Sequence, residues 1–190
     1  MNKENLLIEF IWPLKKMDLL LKNIILVILG TIIITISAKI QVPFWPVPMT
    51  MQTYAVLVIA IMYGWKLSLA TLTLYLFEGA IGIPVFAKGG GIAYLLGPTA
   101  GYLFGMLLAA CIVGYLGERG YGKNLFKSLL ALFIGSIIIF FLGVSYLSSI
   151  VGFEKAIAGG LSPFIPSEFF KIGLAVCTIN LLWKYYNKDN

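Results

Sequence analysis

Residues 128–153 read SLLALFIGSIIIFFLGVSYLSSIVGF and contain no charged side chain. Two further uncharged runs, 40–65 and 89–117, are comparably long. A helix needs about 20 apolar residues to cross the hydrocarbon core of a bilayer. The core of a soluble domain of 190 residues is too small to bury all three runs. The sequence therefore predicts an integral membrane protein.

The composition supports this class. The chain is 60% hydrophobic and 12% charged, with a mean hydropathy of +0.96, whereas an ordinary soluble domain is about 25% charged. The apolar runs are continuous and do not alternate with polar residues, which favours an all-α membrane protein over a β-barrel. The net charge of +6 comes from basic residues spread singly at segment ends, so it indicates membrane topology and not a nucleic-acid partner.

Six transmembrane helices are predicted, in one membrane domain over residues 19–190. The second and third are short for a full span. Residues 1–18 lack the small-residue cleavage site of a secretory signal and predict an amphipathic cytoplasmic or interfacial segment. The predicted helices cover residues 19–38, 50–63, 67–79, 98–116, 125–150 and 166–186.

The distribution of lysine and arginine predicts the orientation. With the N-terminus inside, ten basic residues lie on the inner side and four on the outer side, as the positive-inside rule requires. Both termini are then cytoplasmic in the cell membrane, and the loop between helices 1 and 2 is extracellular. The inner set is Lys3, Lys15, Lys16, Lys22, Lys66, Arg119, Lys123, Lys127, Lys184 and Lys188. The outer set is Lys39, Lys88, Lys155 and Lys171.

Several kinds of chemistry are disfavoured. The chain has no histidine, and its two cysteines lack metal-ligand spacing. The segment KGGG, 88–91, lacks the order of a phosphate-binding loop, and no nucleophile and base can be paired. We therefore expect no enzyme activity, no metal, no cofactor and no nucleotide site in this chain.

Charged residues inside apolar segments are costly and mark candidate sites. In PSEFFKIG, 166–173, Glu168 and Lys171 are three residues apart and share one helix face. Glu78 is a third such residue. The pair is either a structural ion pair or a polar clamp for a ligand that carries donors and an anion.

The stretch QVPFWPVPMTMQT, 41–53, holds three prolines within six residues. Proline fixes the backbone, and a preformed loop loses less entropy when a ligand binds. Phe44 and Trp45 could cover an apolar ring, while Gln52 supplies a donor and an acceptor. An aromatic belt at the membrane interface is the alternative, but a belt does not call for the prolines.

The glycines of GPTAGYLFG, 97–105, recur every four residues and predict a flat surface for close helix packing. Tyr102, within this segment, and Tyr146 are predicted to face one cavity.

Four segments together resemble the BioY family, the biotin-specific substrate-binding subunits (S components) of energy-coupling factor (ECF) transporters. They are VPMTMQT (47–53), GAIGIPVFAKGGG (79–91), GPTAGYLFG (97–105) and FIPSEFFK (164–171). The resemblance extends from about residue 38 to the C-terminus. It implies six membrane helices that bind biotin from outside. It also implies a transmembrane coupling subunit and two cytoplasmic ATPase subunits that hydrolyse ATP as partners.

The resemblance also implies roles for the candidate residues. Glu168 would accept the ureido hydrogens of biotin, with Gln52 completing the network and Phe44 or Trp45 covering the ring. Lys171 would either meet the carboxylate of the biotin tail or hold Glu168, and Lys88 is a second candidate for that carboxylate. The family usually has aspartate where this chain has Glu168.

The resemblance also implies that helix 1 carries small residues, spaced by four, that face the coupling subunit. Here the candidates are Gly30 and Ala38, or alternatively Thr31 and Thr35.

Two alternatives remain at this stage. One is an S component for another vitamin, such as thiamin or riboflavin. The other is a membrane enzyme or a membrane assembly factor without transport activity.

Overall fold

A computed structural model describes residues 6–11, 19–43 and 45–188 of the chain. Six long helices form the bundle: α2 (Leu19–Lys39), α3 (Gln52–Tyr63), α4 (Trp65–Ala80), α6 (Ala100–Glu118), α7 (Leu125–Val151) and α9 (Ile165–Lys188). Each predicted segment overlaps one of them. The shorter helices are α1 (Leu7–Ile11), α5 (Ile92–Leu95) and α8 (Phe153–Gly160), and two 3-10 turns cover Tyr121–Lys123 and Ser162–Phe164.

Within the described residues, four helical stretches are long and apolar enough to cross a membrane: Leu19–Lys39, Ala100–Glu118, Leu125–Val151 and Phe153–Tyr185. The last of these covers α8 and all but the final three residues of α9. The helix α3 is apolar but has only 12 residues, and α4 has 16. At 1.5 Å per residue, both are shorter than the roughly 30 Å of a hydrocarbon core. They are separated by Gly64, whose φ of 80° permits the sharp reversal.

The helix α6 lies at the centre of the bundle and packs against α7, α3 and α4. A Cβ on Gly101 would come within 2.6 Å of the Leu142 carbonyl oxygen, and one on Gly105 within 3.0 Å of Ile139. The prediction that these two glycines allow close helix packing is confirmed. Gly97 lies before the start of α6 and has no part in this contact.

At one end of the bundle, α1 packs against α3 and α9. Leu6, Leu7 and Ile8 are buried, so this part of the N-terminal segment is covered by the bundle and does not lie on a surface as expected. The buried Lys22 on α2 forms an ion pair of 2.7 Å with Glu9 on α1. The rest of the predicted amphipathic segment, residues 1–5 and 12–18, lies outside the described residues.

The helix α2 is peripheral, and the described residues cover one side of it. Its inward face carries Gly30 and Ala38, the predicted docking residues, and both are buried within the chain. A Cβ on Gly30 would overlap the side chain of Thr71 on α4. In this conformation these residues are therefore unavailable to a partner, and the exposed face of α2 is instead formed by large aliphatic residues such as Ile28, Ile32 and Ile36.

The other end of the bundle, called the site end here, is formed by residues 40–51, 81–99 and 152–164, which join the helices. The strands β1 (Gln41–Val42) and β2 (Met49–Thr50) make a small antiparallel hairpin, with Gln41 opposite Thr50. Its proline-rich loop rests on α8, since a Cβ on Gly159 would lie 2.8 Å from Pro46. Val47 and Pro48 are buried beneath this loop.

Candidate ligand site

A cavity of about 50 Å³ lies at the site end, between the hairpin, α3, α6 and α9. Its walls are largely apolar and aromatic, and most of its polar side chains come from β2, the start of α3 and α9. The lining residues are Val47, Pro48, Thr50, Gln52, Thr53, Phe86, Ala87, Tyr94, Thr99, Tyr102, Leu103, Met106, Phe140, Phe164 and Lys171.

A buried ion pair stands at the polar side of the cavity. The Lys171 ammonium lies 2.7 Å from Glu168 Oε2, one turn apart on α9 as the spacing predicts. Lys171 also donates to Thr53 Oγ1 at 2.8 Å and to the Thr50 carbonyl at 3.2 Å. Burying two charges is costly unless further hydrogen bonds satisfy them, and these contacts supply them. The prediction of a shared face is confirmed.

The Glu168 carboxylate accepts hydrogen bonds from two other helices. Thr53 on α3 donates to Oε2 at 3.1 Å, and Ser136 on α7 donates to Oε1 at 3.1 Å. Lys171 lines the cavity, whereas Glu168 lies behind it and borders a separate apolar groove between α7 and α9. The arrangement therefore presents a cation to the cavity and keeps its counter-charge in the wall.

Gln52, at the start of α3, provides the second polar contact. Its side chain is buried and lines the cavity. The amide nitrogen donates to the Tyr75 hydroxyl on α4 at 3.1 Å, and that hydroxyl donates to the Val85 carbonyl at 3.1 Å. The amide is thereby linked to the loop that follows α4.

The segment after α4 forms an aromatic wall of the cavity. Phe86 is fully buried, stacks on Tyr94 with ring centroids 4.9 Å apart, and meets the edge of Tyr75 at 5.4 Å. Its carbonyl accepts from Lys39 Nζ at 2.5 Å. Position 79 requires glycine, because a Cβ on Gly79 would overlap the Phe86 ring.

Tyr94 lies on α5, and burial raises the pKa of its phenol. It therefore stays neutral at physiological pH and can act as a donor.

The opposite wall comes from α6, α7 and the turn before α9. Tyr102 donates to the Gly160 carbonyl at 2.7 Å and meets Phe140 edge-on at 6.0 Å. Phe140 in turn packs against Phe164. These rings give the cavity a rigid apolar side that suits an apolar ring system.

The structure brings only some of the predicted residues together. Gln52 and Lys171 line the cavity and Glu168 contacts Lys171. Trp45 is 75% exposed and does not line the cavity. Lys88 is also exposed, although its neighbours Phe86 and Ala87 line it.

Tyr146 was predicted to face the same cavity as Tyr102, but it does not line this one. Tyr102 lines the cavity, but Tyr146 lies outside it, donates to the Leu96 carbonyl at 3.1 Å and packs on Gly101. Phe44, also predicted to contact the ligand, lies outside the described residues.

Several residues of the site were not singled out from the sequence. Thr53 is the last residue of the segment VPMTMQT, so the sequence could have indicated it as a site residue. Ser136 and Tyr75 lie in apolar helices whose residues give no local sign of a site. Only the packing of α4 and α7 against α3 and α9 reveals their contacts.

A protein-family model described as the BioY family matches residues 9–188. A relative named "Probable biotin transporter BioY", from Pyrococcus horikoshii, is 37% identical over 156 residues, covering 82% of this chain and 92% of that protein. A biotin transporter BioY of Thermotoga maritima is 38% identical over 148 residues, covering 76% and 86%. The crystal structure of the S-component for biotin from an ECF-type ABC transporter superposes with a TM-score of 0.77 at 26% identity, covering 89% of this chain and 95% of that one.

Proposed function

Since the chain belongs to the BioY family, we propose that it binds biotin as the substrate-binding subunit of an ECF vitamin uptake transporter. The similarity to the S-component for biotin of an ECF-type ABC transporter supports this assignment. The protein then determines which substrate the transporter takes up, and it is not an enzyme. ATP is hydrolysed by partner subunits.

One observation carries the choice of ligand. The cavity has aromatic walls on two sides and a polar side on which Gln52 and the Lys171 ammonium are placed. Biotin has the matching parts: an apolar thioether ring, a ureido group with two N–H donors and a carbonyl, and a carboxylate at the end of its tail. A mostly apolar pocket with a few placed polar groups is the usual form of a small-molecule site.

The cavity must enlarge before it can hold this ligand. Its volume of about 50 Å³ is far below the roughly 300–1,000 Å³ of typical ligand pockets. We propose that the hairpin loop moves to enlarge the cavity. It contributes Val47 and Pro48 to the cavity wall, and the two strands that hold it pair over only two residues each. Its movement would also bring Trp45 into reach of the ligand, and Phe44 stays a proposed cover for the biotin ring.

Both roles considered for Lys171 are compatible with the geometry. Its ammonium holds Glu168 and lines the cavity, and a ligand acceptor would bind it by replacing the Thr53 hydroxyl or the Thr50 carbonyl. Glu168 fixes Lys171 and lies behind the cavity wall, so it accepts a ureido hydrogen only if the Thr53 hydroxyl turns away and the cavity enlarges towards α9. Lys88 remains the proposed second partner for the biotin carboxylate, after the loop has moved.

We propose a multi-pass arrangement in the cell membrane with six spans and the site end outside. The ratio of ten inner to four outer basic residues supports this orientation, with both termini in the cytoplasm. The partners are a transmembrane coupling subunit and two cytoplasmic ATPase subunits. The exposed aliphatic face of α2 is the surface we propose for the coupling subunit, in place of Gly30 and Ala38.

Calorimetric titration of the purified, ligand-free protein in detergent tests the function. Biotin should bind one-to-one with nanomolar affinity, equivalent to about 12 kcal/mol, while thiamin and riboflavin give no heat. Lys171→Met should weaken biotin binding, and Lys155→Met, which removes an exposed lysine of α8, is the matched control. Binding of thiamin or riboflavin in place of biotin, or of none of the three, would overturn the proposal.

A further inference from the structure

We infer that Tyr75 fixes the direction of the Gln52 amide, so that Gln52 presents an oxygen to the cavity and selects ligands with an N–H donor. This inference rests on the proposed function and assigns the ligand-facing atom of one residue in that site. Tyr75 is a positioning residue, since it acts on the ligand through Gln52.

The assignment follows from counting donors and acceptors. A tyrosine hydroxyl has one proton to donate. The Tyr75 hydroxyl lies 3.1 Å from the Val85 carbonyl oxygen, which can only accept, so that proton is directed to Val85. The hydroxyl oxygen must then accept from Gln52, 3.1 Å away. Only the NH₂ group of the amide can donate, and the amide oxygen therefore takes the other direction.

The oxygen of the Gln52 amide is left for a ligand. Gln52 is 4% exposed and lines the cavity. Among the described residues, its oxygen has no hydrogen-bond partner, although its nitrogen has one. No buried side-chain oxygen or nitrogen of the described residues lacks a hydrogen-bond partner, so the Gln52 oxygen keeps accessible surface. The cavity that Gln52 lines is where a substrate N–H can reach this acceptor.

The other polar groups beside the cavity already have partners. Thr53 accepts from Lys171 and donates to Glu168. Glu168 accepts from Lys171, Thr53 and Ser136. Lys171 is a donor only. Its three N–H groups are taken by Glu168, Thr53 and the Thr50 carbonyl. The oxygen of Gln52 is therefore left as an acceptor, which matches an N–H of a cyclic urea.

A Gln52 oxygen held in one direction should discriminate strongly between ligands with and without an N–H group at the matching position. A site built to hydrogen-bond a substrate N–H rejects an analogue without it, because the buried acceptor is then left unpaired. If the Tyr75 hydroxyl is removed, the amide loses the bond that holds it and can turn its NH₂ group towards the ligand. Discrimination between N–H and CH₂ at that position should then fall.

The test compares biotin with its two lactam analogues, in each of which one ureido N–H is replaced by CH₂. Calorimetry or competition binding gives the affinity ratio of biotin to each analogue for the parent, Tyr75→Phe, Gln52→Met and the double variant. In the parent, one analogue should bind about ten-fold or more weakly. This ratio should drop several-fold in Tyr75→Phe and approach one in Gln52→Met. Adding Tyr75→Phe to Gln52→Met should change it no further.

Tyr54→Phe is the matched control. It removes a hydroxyl that bonds Thr178 at 3.0 Å between α3 and α9, outside the cavity, and should keep the parent ratio. A purely structural loss in Tyr75→Phe would weaken biotin and both analogues equally, and that result would overturn the inference while leaving biotin binding intact. If the parent does not bind biotin, the proposed function itself fails. Size-exclusion chromatography of each variant shows that folded protein is being compared.

Discussion

The Lys171 ammonium lies 2.7 Å from the Glu168 carboxylate, and both side chains are buried where α9 meets α3 and α7. Removal of one partner leaves the other charge buried without its counter-charge, which typically costs about 3–5 kcal/mol. Replacement of both by apolar residues avoids that penalty. The pair is therefore expected to behave as one unit in stability measurements.

Lys171→Met and Glu168→Leu should each lower the unfolding temperature in detergent substantially, and the double variant Glu168→Leu/Lys171→Met should lower it less than either single change. The measurement is thermal unfolding followed by tryptophan emission, without ligand. Glu154→Gln and Lys155→Met, at exposed positions on α8, are the controls and should change little. Additive losses in the double variant would show that the pair is not coupled.

Thr53→Val should weaken biotin binding about ten-fold, because Thr53 Oγ1 links Lys171 and Glu168 at 2.8 and 3.1 Å and a lost hydrogen bond to a charged group costs about 1.5–3 kcal/mol. Valine keeps the shape of threonine, so the packing of α3 is preserved. Calorimetry gives the change in dissociation constant. Thr73→Val, at an exposed position of α4, is the control, and equal affinity in both variants would refute a role for the Thr53 hydroxyl.

Gly79→Ala should displace the Phe86 ring from the wall of the cavity, because a Cβ at residue 79 would overlap that ring. Overpacking of this kind costs about 1–3 kcal/mol, and the loop that follows α4 should shift with the ring. Both the unfolding temperature and the biotin affinity should fall. Gly173→Ala, where a Cβ meets nothing within 4 Å, should leave both near the parent values, and a tolerated Gly79→Ala would contradict the predicted contact.

Glu9→Gln should destabilise the end of the bundle opposite the site by about 1–3 kcal/mol, since Lys22 is 1% exposed and would lose its charged partner. Glu9 is partly exposed, which places the effect below that of a fully buried pair. Thermal unfolding should show the loss, and biotin affinity should be unchanged, as the pair lies at the other end of α2 from the hairpin. A large loss of affinity would indicate that this ion pair communicates with the site.

The helical architecture could be predicted because membrane helices need long uncharged segments, and charged residues or glycines mark the ends of these segments. The bounds predicted for α7 and α3 agree with the structure to within about two residues. The short helices α5 and α8 were not predicted, because segments of four and eight residues are too short to show a helical pattern of apolar residues. Their positions depend on contacts with neighbouring helices.

The candidate site was predictable in part. The spacing of Glu168 and Lys171 places them on one helix face, and the prolines before Gln52 indicate a preformed loop. Trp45 and Tyr146 do not line the cavity in this conformation. The residue type indicates which groups an aromatic side chain can contact, whereas the direction of that side chain depends on the backbone conformation. Gly30 and Ala38 were expected outside but are buried, since small residues suit an internal helix contact as well as an external one.

By itself the sequence determined the membrane class, the helical segments and the residue pair that carries charge into the apolar zone, because these follow from local spacing along one chain. Only the tertiary structure decided that Thr53 and Ser136 hold Glu168, that Tyr75 orients Gln52, and that Lys171 rather than Glu168 lines the cavity. These contacts join residues 23 to 115 positions apart. Their directions are set by helix packing and by the limited number of protons each hydroxyl can donate.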